Sequence, residues 1–232
     1  MKKKVLITGA TSGIGYATLK ELISDYDITF TYCHNETKAQ AIAKKYGIKG
    51  YYLDLKNKKS IENLASAIAS LDILINNAAI AQDNSYEDKT YEEFMETIKT
   101  NLTGTYYLTK LLSEKISKDG NILFVSSTNG IDTPYIESID YDASKAGVIS
   151  LMHNFARYLK PIRVNALAPG WVNTEMNKFL EPKFKAQEEK KILLKRFAEP
   201  EEISKVIKFI ISADASYINN TIIRVDGGVN NG

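Results

Sequence analysis

The sequence predicts an α/β fold: a doubly wound parallel sheet of about seven strands with helices on both faces, a three-layer αβα arrangement. Three observations carry that prediction. Short apolar, β-branched runs alternate along the chain with stretches whose apolar residues recur at helical spacing. Runs of about four to six apolar residues separated by helices imply parallel pairing, because parallel strands need a crossover between them. The polar and glycine-rich signals fall where those runs stop, at Gly9 to Gly15, Asp54, Asn76-Asn77, Ser127 and Pro169-Gly170. In open sheets of this kind ligands bind outside the carboxyl ends of the strands, where strand order reverses.

Taken in order, Lys4-Val5-Leu6-Ile7-Thr8 reads as a strand that stops at Gly9, and Ile14, Ala17, Leu19, Leu22 and Ile23 mark the helix after it. Glycines at 9, 13 and 15 let the backbone turn tightly and approach a ligand, while the helix start offers unpaired N–H groups to a phosphate. Glycine-rich turns also occur without any ligand. The pattern then repeats: a strand over 28–32, a helix over 36–46, a strand over 50–53 ending at Asp54, and a helix over about 58–69. A buried-looking strand over 72–75 runs into Asn76-Asn77. One long helix over about 90–117 precedes a strand over 121–125 that ends at Ser126-Ser127. A helix over about 141–159, a strand over 162–167, a charged helical section, a helix over 201–211 and a strand over 221–225 complete the chain.

With 232 residues and 44% hydrophobic content the chain can bury one substantial core, so a single domain over 1–232 is expected. Lys plus Arg number 30 against 28 Asp plus Glu, and a formal charge of +2 gives no bulk electrostatic reason to bind nucleic acid or an acidic membrane. Cys33 is the only cysteine, and with only His34 and His153 there is no Cys/His cluster at metal-ligand spacing, so no metal is expected. The apolar run after Met1-Lys2-Lys3-Lys4 is too short for a signal peptide, and no stretch reaches the roughly 20 apolar residues that span a bilayer. A cytoplasmic protein is the expectation.

Tyr141 and Lys145 stand four apart on a predicted helix, so they face the same way. A phenol titrates near pH 10 and is a poor acid or base at neutrality, whereas a neighbouring cation draws its pKa down. The pair is therefore suited to moving a proton. A half-buried ring beside a solvated charge is the structural alternative.

These residues, together with their neighbours, resemble the short-chain dehydrogenase/reductase family from one end of the chain to the other. Thr8-Gly9-Ala10-Thr11-Ser12-Gly13-Ile14-Gly15 is similar to its cofactor motif, and Asn76-Asn77-Ala78-Ala79 to its Asn-Asn-Ala-Gly, with Ala79 in place of Gly. Asn101-Leu102-Thr103-Gly104 resembles its mid-helix Asn, Ser127-Thr128-Asn129-Gly130 its catalytic serine, and Tyr141 to Lys145 its Tyr-x-x-x-Lys. Pro169-Gly170-Trp171-Val172-Asn173-Thr174 and Val225-Asp226-Gly227-Gly228 extend the match. Ser127 and Tyr141 are 14 positions apart, one more than the family's usual spacing, so a reshaped substrate loop over 131–140 is expected.

The resemblance implies a Rossmann-type fold and hydride transfer between nicotinamide and a carbonyl or secondary alcohol. Tyr141 would move the proton, Ser127 would orient the substrate oxygen, and Lys145 would lower the phenol pKa and hold the nicotinamide ribose. Asn101 would hold a water that links Lys145 to solvent. The alternatives are a strand-end cap for Ser127 and a backbone contact for Asn101. The cofactor site would comprise Gly9, Thr11, Ser12, Gly13, Ile14, Gly15, Tyr32, Cys33, His34, Asp54, Leu55, Asn77, Ala78, Ala79, Tyr141, Lys145, Pro169, Gly170, Val172 and Thr174. Asp54 suits the adenine amino group, or is a plain turn-starting Asp. No carboxylate stands at the end of the second strand, where one would select NAD, so NADP is expected over NAD, although Ser12 stands where NADP-dependent relatives often carry a base.

A substrate lid is expected at about 173–197, where Lys178, Lys183, Lys185, Lys190, Lys191, Lys195 and Arg196 interleave with Glu181, Glu188 and Glu189. Such a lid would receive an acidic carrier protein or a phosphopantetheine arm, or is a solvated mixed-charge helix, the reading that the interleaved glutamates favour. The likeness is greatest to 3-oxoacyl-[acyl-carrier-protein] reductases, which implies an acyl-thioester substrate and a homotetramer. A sugar, steroid or small-ketone dehydrogenase, and a catalytically silent nucleotide-binding sensor, are the alternatives. The intact set Asn101, Ser127, Tyr141 and Lys145 argues against the silent one.

Overall fold

The computed structural model of the protein describes residues 2–229, so Met1 of the basic lead-in and the last three positions of the expected 1–232 unit lie outside it. Seven strands pair in the order β3-β2-β1-β4-β5-β6-β7, and every pairing is parallel. They are β1 (Lys4–Ile7), β2 (Asp27–Tyr32), β3 (Lys49–Tyr52), β4 (Leu71–Asn76), β5 (Ile116–Val125), β6 (Arg163–Pro169) and β7 (Ile222–Val225). The expected doubly wound sheet is therefore the observed one. Strand order reverses between β1 and β4, where Val5 is in register with Ile28 on one side and Ile73 on the other.

Alternate residues of the central strands feed two separate cores. Val5, Ile7, Ile73, Ile75, Leu123 and Val125 pack under α1 (Gly13–Leu22), α2 (Glu36–Tyr46) and α8 (Pro200–Ile211). Leu6, Leu74, Ile122 and Phe124 point the other way, beneath α3 (Lys58–Ala67), α5 (Thr105–Ser113) and α6 (Ile139–Tyr158). Burial on both faces explains why these strands carry unbroken apolar runs, Val5-Leu6-Ile7, Ile73-Leu74-Ile75 and Ile122-Leu123-Phe124-Val125. Among the described residues no helix is long and apolar enough to cross a membrane.

The long helix expected over 90–117 is not continuous. It divides into α4 (Tyr91–Ile98), a π-helical segment Lys99–Gly104, and α5, which ends at Ser113. Thr90 and Glu93 form a reciprocal capping box at its start. The π segment runs where the chain passes the end of β3 so closely that a Cβ on Gly104 would lie 2.2 Å from the Leu55 carbonyl. Beyond Ser113 the chain is already strand: Ile116 pairs with Leu71, and the next partner of β4 is Asn121 opposite Ile73. Ser117-Lys118-Asp119-Gly120 bulge out between those two pairings, and their turn-like composition hides the strand from a sequence reading. The charged section after β6 forms α7 (Pro182–Lys191), which has no buried residue.

Candidate active site

The carboxyl ends of the strands surround a groove of about 640 Å³. Its first wall is the turn between β1 and α1, where Gly9 and Gly13 have φ of +67° and +50°, a region that side chains disfavour. A Cβ on Gly9 would lie 2.9 Å from the Ala78 Cα, so the glycine is what lets this turn and the β4 loop touch. Thr8 Oγ1 accepts from the amides of Asn77 and Ala78 at 2.9 and 3.0 Å. Asn77 Nδ2 donates to the carbonyls of Thr8 and Gly9 at 2.9 and 3.2 Å, which commits both of its N–H groups to holding the two loops together.

Thr11, Ser12, Ile14, Ala79, Tyr32, Cys33 and His34 line the same groove, with Asp54 and Leu55 at one end and Pro169, Gly170, Val172 and Thr174 along the other side. Gly15 does not; it is buried under the turn, where a Cβ would meet the Gly9 carbonyl at 2.4 Å, so its smallness serves packing. Burial pushes the Cys33 thiol up, which favours its protonated form. Asp54 Oδ1 accepts the Lys56 amide at 2.9 Å, so the turn-starting reading holds for one oxygen while the residue still faces the groove.

The start of α1 already holds an oxyanion supplied by the chain itself. Glu175 Oε2 accepts from the Gly13 amide at 3.0 Å, and Oε1 lies 3.5 Å from Lys38 Nζ. Burial would raise this carboxyl, but the amides of Glu175 and Gly13 and the Lys38 charge hold it below the usual range. An anion is thus stable where the sequence places a cofactor phosphate, and the residues fit a dinucleotide.

At the far end of the groove stand Ser127, Tyr141 and Lys145. Ser127 ends the β5 loop, and its hydroxyl accepts the Asn129 amide at 3.2 Å, as a strand-end cap would. The Tyr141 side chain lines the same groove as that hydroxyl. Lys145 is 4% exposed and donates from Nζ to the Val125 carbonyl at 2.8 Å, with Nζ 5.3 Å from the centre of the Tyr141 ring. The expected depression of the phenol pKa is not seen. Burial pushes Tyr141 up to about 12, against the hydrogen bond from Ser127, and the Asp142 and Asp83 carboxylates add to the rise. Burial also pulls Lys145 down to about 8. Desolvation outweighs the cation because the ammonium is spent on a carbonyl and the ring stands in a low-dielectric wall.

Asn101, in the π segment, does not line the groove. Its Nδ2 donates to the Ile80 carbonyl at 2.8 Å and to Ser144 Oγ at 3.1 Å, and its Oδ1 accepts the Ile80 amide at 2.9 Å. The backbone contact is the observed one, and only the second lone pair of Oδ1 remains for a water.

A second groove, of about 560 Å³, opens on the other side of Ser127 and Tyr141, which stand in the wall of both. Tyr135, Trp171 and Glu188 line it. Trp171 stacks on Phe197 at 5.3 Å and packs edge-on to Phe184 of α7 at 5.8 Å, while its Nε1 donates to Glu188 at 3.1 Å. The charged α7 is thus tied over this second groove by an aromatic cluster.

Residues 9–230 match the family model described as enoyl-(acyl carrier protein) reductase. The 3-oxoacyl-[acyl-carrier-protein] reductase FabG of Aquifex aeolicus is 34% identical over 98% of this chain and 97% of its own. The acetoacetyl-CoA reductase of Rhizobium meliloti is 33% identical over 98% of each. The crystal structure of a short chain dehydrogenase from Burkholderia cenocepacia in complex with NADP superposes with a TM-score of 0.91 at 27% identity, over 97% of each chain. The chain belongs to the short-chain dehydrogenase/reductase family. As a short-chain dehydrogenase/reductase it is an NAD(P)-dependent oxidoreductase acting on CH–OH and C=O groups.

Nicotinamide, when bound, supplies or accepts the hydride in such an enzyme. What this chain adds is a protonated phenol beside a hydroxyl, at the junction of two grooves, in surroundings that favour the neutral phenol. Such a pair can orient an oxygen and exchange a proton with it. Several residues around this site escape a motif reading. Lys38 lies one helical turn beyond Asn35, the N-cap of α2, and so returns to the groove. Glu175 directly follows Thr174, and Asn129 and Asp142 lie inside matched motifs at variable positions, so no pattern marks them.

Proposed function

We propose that the protein is an NADPH-preferring 3-oxoacyl-thioester reductase, a single nucleotide-binding domain with a lid at about 173–197. The observation that carries the catalytic part is the placement of Ser127 and Tyr141 in the wall common to both grooves. A cofactor in the first and a substrate in the second would meet at those two side chains. Tyr141 gives a proton to the carbonyl oxygen, Ser127 orients that oxygen, and Lys145 fixes the ribose. Asn101 keeps the Ile80 loop in place and leaves room for a water at its oxygen. The acyl-thioester substrate is favoured by the names of the curated relatives from Aquifex aeolicus and Rhizobium meliloti, both of which act on 3-oxoacyl thioesters by name.

The preference for NADPH rests on Lys38 and His34, basic groups in the groove near the end of β2, and on the lack of a carboxylate at 32–35. The NADP complex of the Burkholderia structure is in keeping with it. A homotetramer is supported by exposed aromatic rings on the outer faces of α5 and α6, Tyr106 at 40% and Tyr158 at 85%. We place the enzyme in the cytoplasm, with acyl carrier protein as the partner that delivers substrate to the lysines of α7.

The test is the rate of NADPH and, separately, NADH oxidation with an acetoacetyl thioester, beside a panel of small ketones and sugars. Faster turnover of the thioester with NADPH is expected. Preference for a sugar or simple ketone would move the substrate elsewhere in the family, and no turnover with bound cofactor would favour a sensor.

A further inference from the structure

Three aromatic rings close one side of the second groove. Tyr135 comes from the loop after β5, Trp171 from the loop after β6 and Phe184 from α7, and each touches the other two. Ring centres lie 6.3 Å apart for Tyr135 and Trp171, 5.6 Å for Tyr135 and Phe184, and 5.8 Å for Trp171 and Phe184. At such separations rings are in van der Waals contact, so no chain passes between them. Tyr135 and Trp171 line the groove, and Phe184 backs them without lining it. The polar hydrogens of both lining rings are spent on carboxylates: Tyr135 Oη donates to Glu137 Oε2 at 2.5 Å, and Trp171 Nε1 donates to Glu188 Oε2 at 3.1 Å. What they leave for a ligand is hydrocarbon. The wall is also fastened on both sides. Arg224 of β7 donates to Asp132 at 2.6 Å and the Tyr135 amide donates to Asp142 at 2.8 Å, while Trp171 stacks on the buried Phe197 at 5.3 Å.

We infer that Tyr135 and Trp171 are specificity-determining residues: the alkyl end of the substrate stops against their rings, and the enzyme acts on short 3-oxoacyl groups, acetoacetyl above all. The inference rests on the reading of the second groove as the site of a 3-oxoacyl thioester, and adds to it the length of the acyl chain. With the reacting carbonyl held at Ser127 and Tyr141 in that groove, the carbons beyond it must fit between those two residues and the rings. In a groove open on that side, each methylene laid against carbon would improve kcat/KM by up to about fourfold. A closed wall reverses the trend, since an added methylene must displace a ring that is packed on two others. Asp83, Asn129, Asp132 and Asn177, elsewhere in the lining, give a displaced chain polar groups to desolvate in place of carbon to pack on.

The experiment is the chain-length dependence of kcat/KM, with NADPH and the N-acetylcysteamine thioesters of acetoacetate, 3-oxohexanoate and 3-oxooctanoate, in wild type, Trp171→Ala, Tyr135→Ala and Tyr135→Phe. Wild type is expected to lose about tenfold or more from the acetoacetyl to the 3-oxooctanoyl thioester. Either alanine variant removes a ring from the wall and should raise the 3-oxooctanoyl-to-acetoacetyl ratio about tenfold, mainly through KM. Tyr135→Phe keeps the ring and should keep the wild-type ratio. Damage to the lid alone would slow all three substrates together and leave the ratio where it was. A wild-type kcat/KM that is level or rises with chain length would overturn the inference, and so would an unchanged ratio in both alanine variants. A ratio shifted as far by Tyr135→Phe as by Tyr135→Ala would also contradict it, because the hydroxyl and not the ring would then set the length. Failure of wild type to reduce any of the three thioesters, with NADPH bound, would instead overturn the substrate reading on which it rests.

Discussion

Lys145 and Tyr141 stand with the ammonium 5.3 Å from the ring centre, yet that ammonium donates to the Val125 carbonyl at 2.8 Å and not to the phenol. The pair that reads from sequence as a cation lowering a phenol pKa is, in the folded protein, two desolvated groups each pushed towards its neutral form. Cofactor-free protein therefore carries a signature in its stability.

The folded-state pKa of Lys145 is depressed to about 8 from 10.5, so between those values the unfolded chain binds more protons than the folded one. Stability accordingly rises with pH across that window, by up to about 3 kcal/mol from this residue. Above pH 10 the raised Tyr141 acts in the opposite sense, because the folded state then keeps a proton that the unfolded chain loses. Urea unfolding from pH 7.5 to 10.5 should show the rise in wild type, and Lys145→Met should flatten it. The window follows from the two lysine values.

Glu175 occupies the Gly13 amide, which a cofactor phosphate would need. Glu175→Gln removes the competing charge and keeps the shape. Calorimetric titration should give NADPH affinity about 3- to 10-fold higher than wild type. An affinity lower than wild type would mean that the carboxylate helps to hold the cofactor.

Lys38 loses its Glu175 partner when that carboxylate moves, and is then free for a 2′-phosphate. Lys38→Ala should weaken NADPH binding about tenfold and leave NADH within about twofold. Equal losses for both cofactors would place Lys38 away from the phosphate.

Asp140, next to Tyr141, is fully buried and paired with Lys89 at 3.2 Å, and Thr97 donates to it at 2.6 Å. Lys89 also donates to the Gln82 carbonyl, which pins the loop after β4 to α6. Asp140→Ala leaves Lys89 buried without its counter-charge and should cost about 3–5 kcal/mol in urea unfolding.

Most of the fold was legible because the strands of a doubly wound sheet are short apolar runs, and their ends are where glycine, asparagine and serine collect. The failures have physical causes. Ile116 pairs alone before a polar bulge, so β5 looks like the tail of a helix. The π segment around Asn101 arises from its packing against β3 and the Ile80 loop, contacts that no local pattern encodes. Within the site the motifs located Ser127, Tyr141 and Lys145. The balance between desolvation and the Lys145 charge depends on burial, and the hydrogen bonds from Ser127 to Asn129 Oδ1 at 3.1 Å and from Asn129 Nδ2 to Asp142 at 2.7 Å depend on how the loop after β5 folds. Neither is a property of spacing.

The measurement that bears most directly on the central claim is single-turnover oxidation of NADPH by wild type and by Tyr141→Phe, with an acetoacetyl thioester and with cofactor binding measured on both. The variant keeps the ring and loses only the hydroxyl. Undiminished NADPH affinity with hydride transfer slowed by about 10²-fold or more is the predicted result. Transfer at the wild-type rate in Tyr141→Phe would contradict the assignment of the proton to Tyr141.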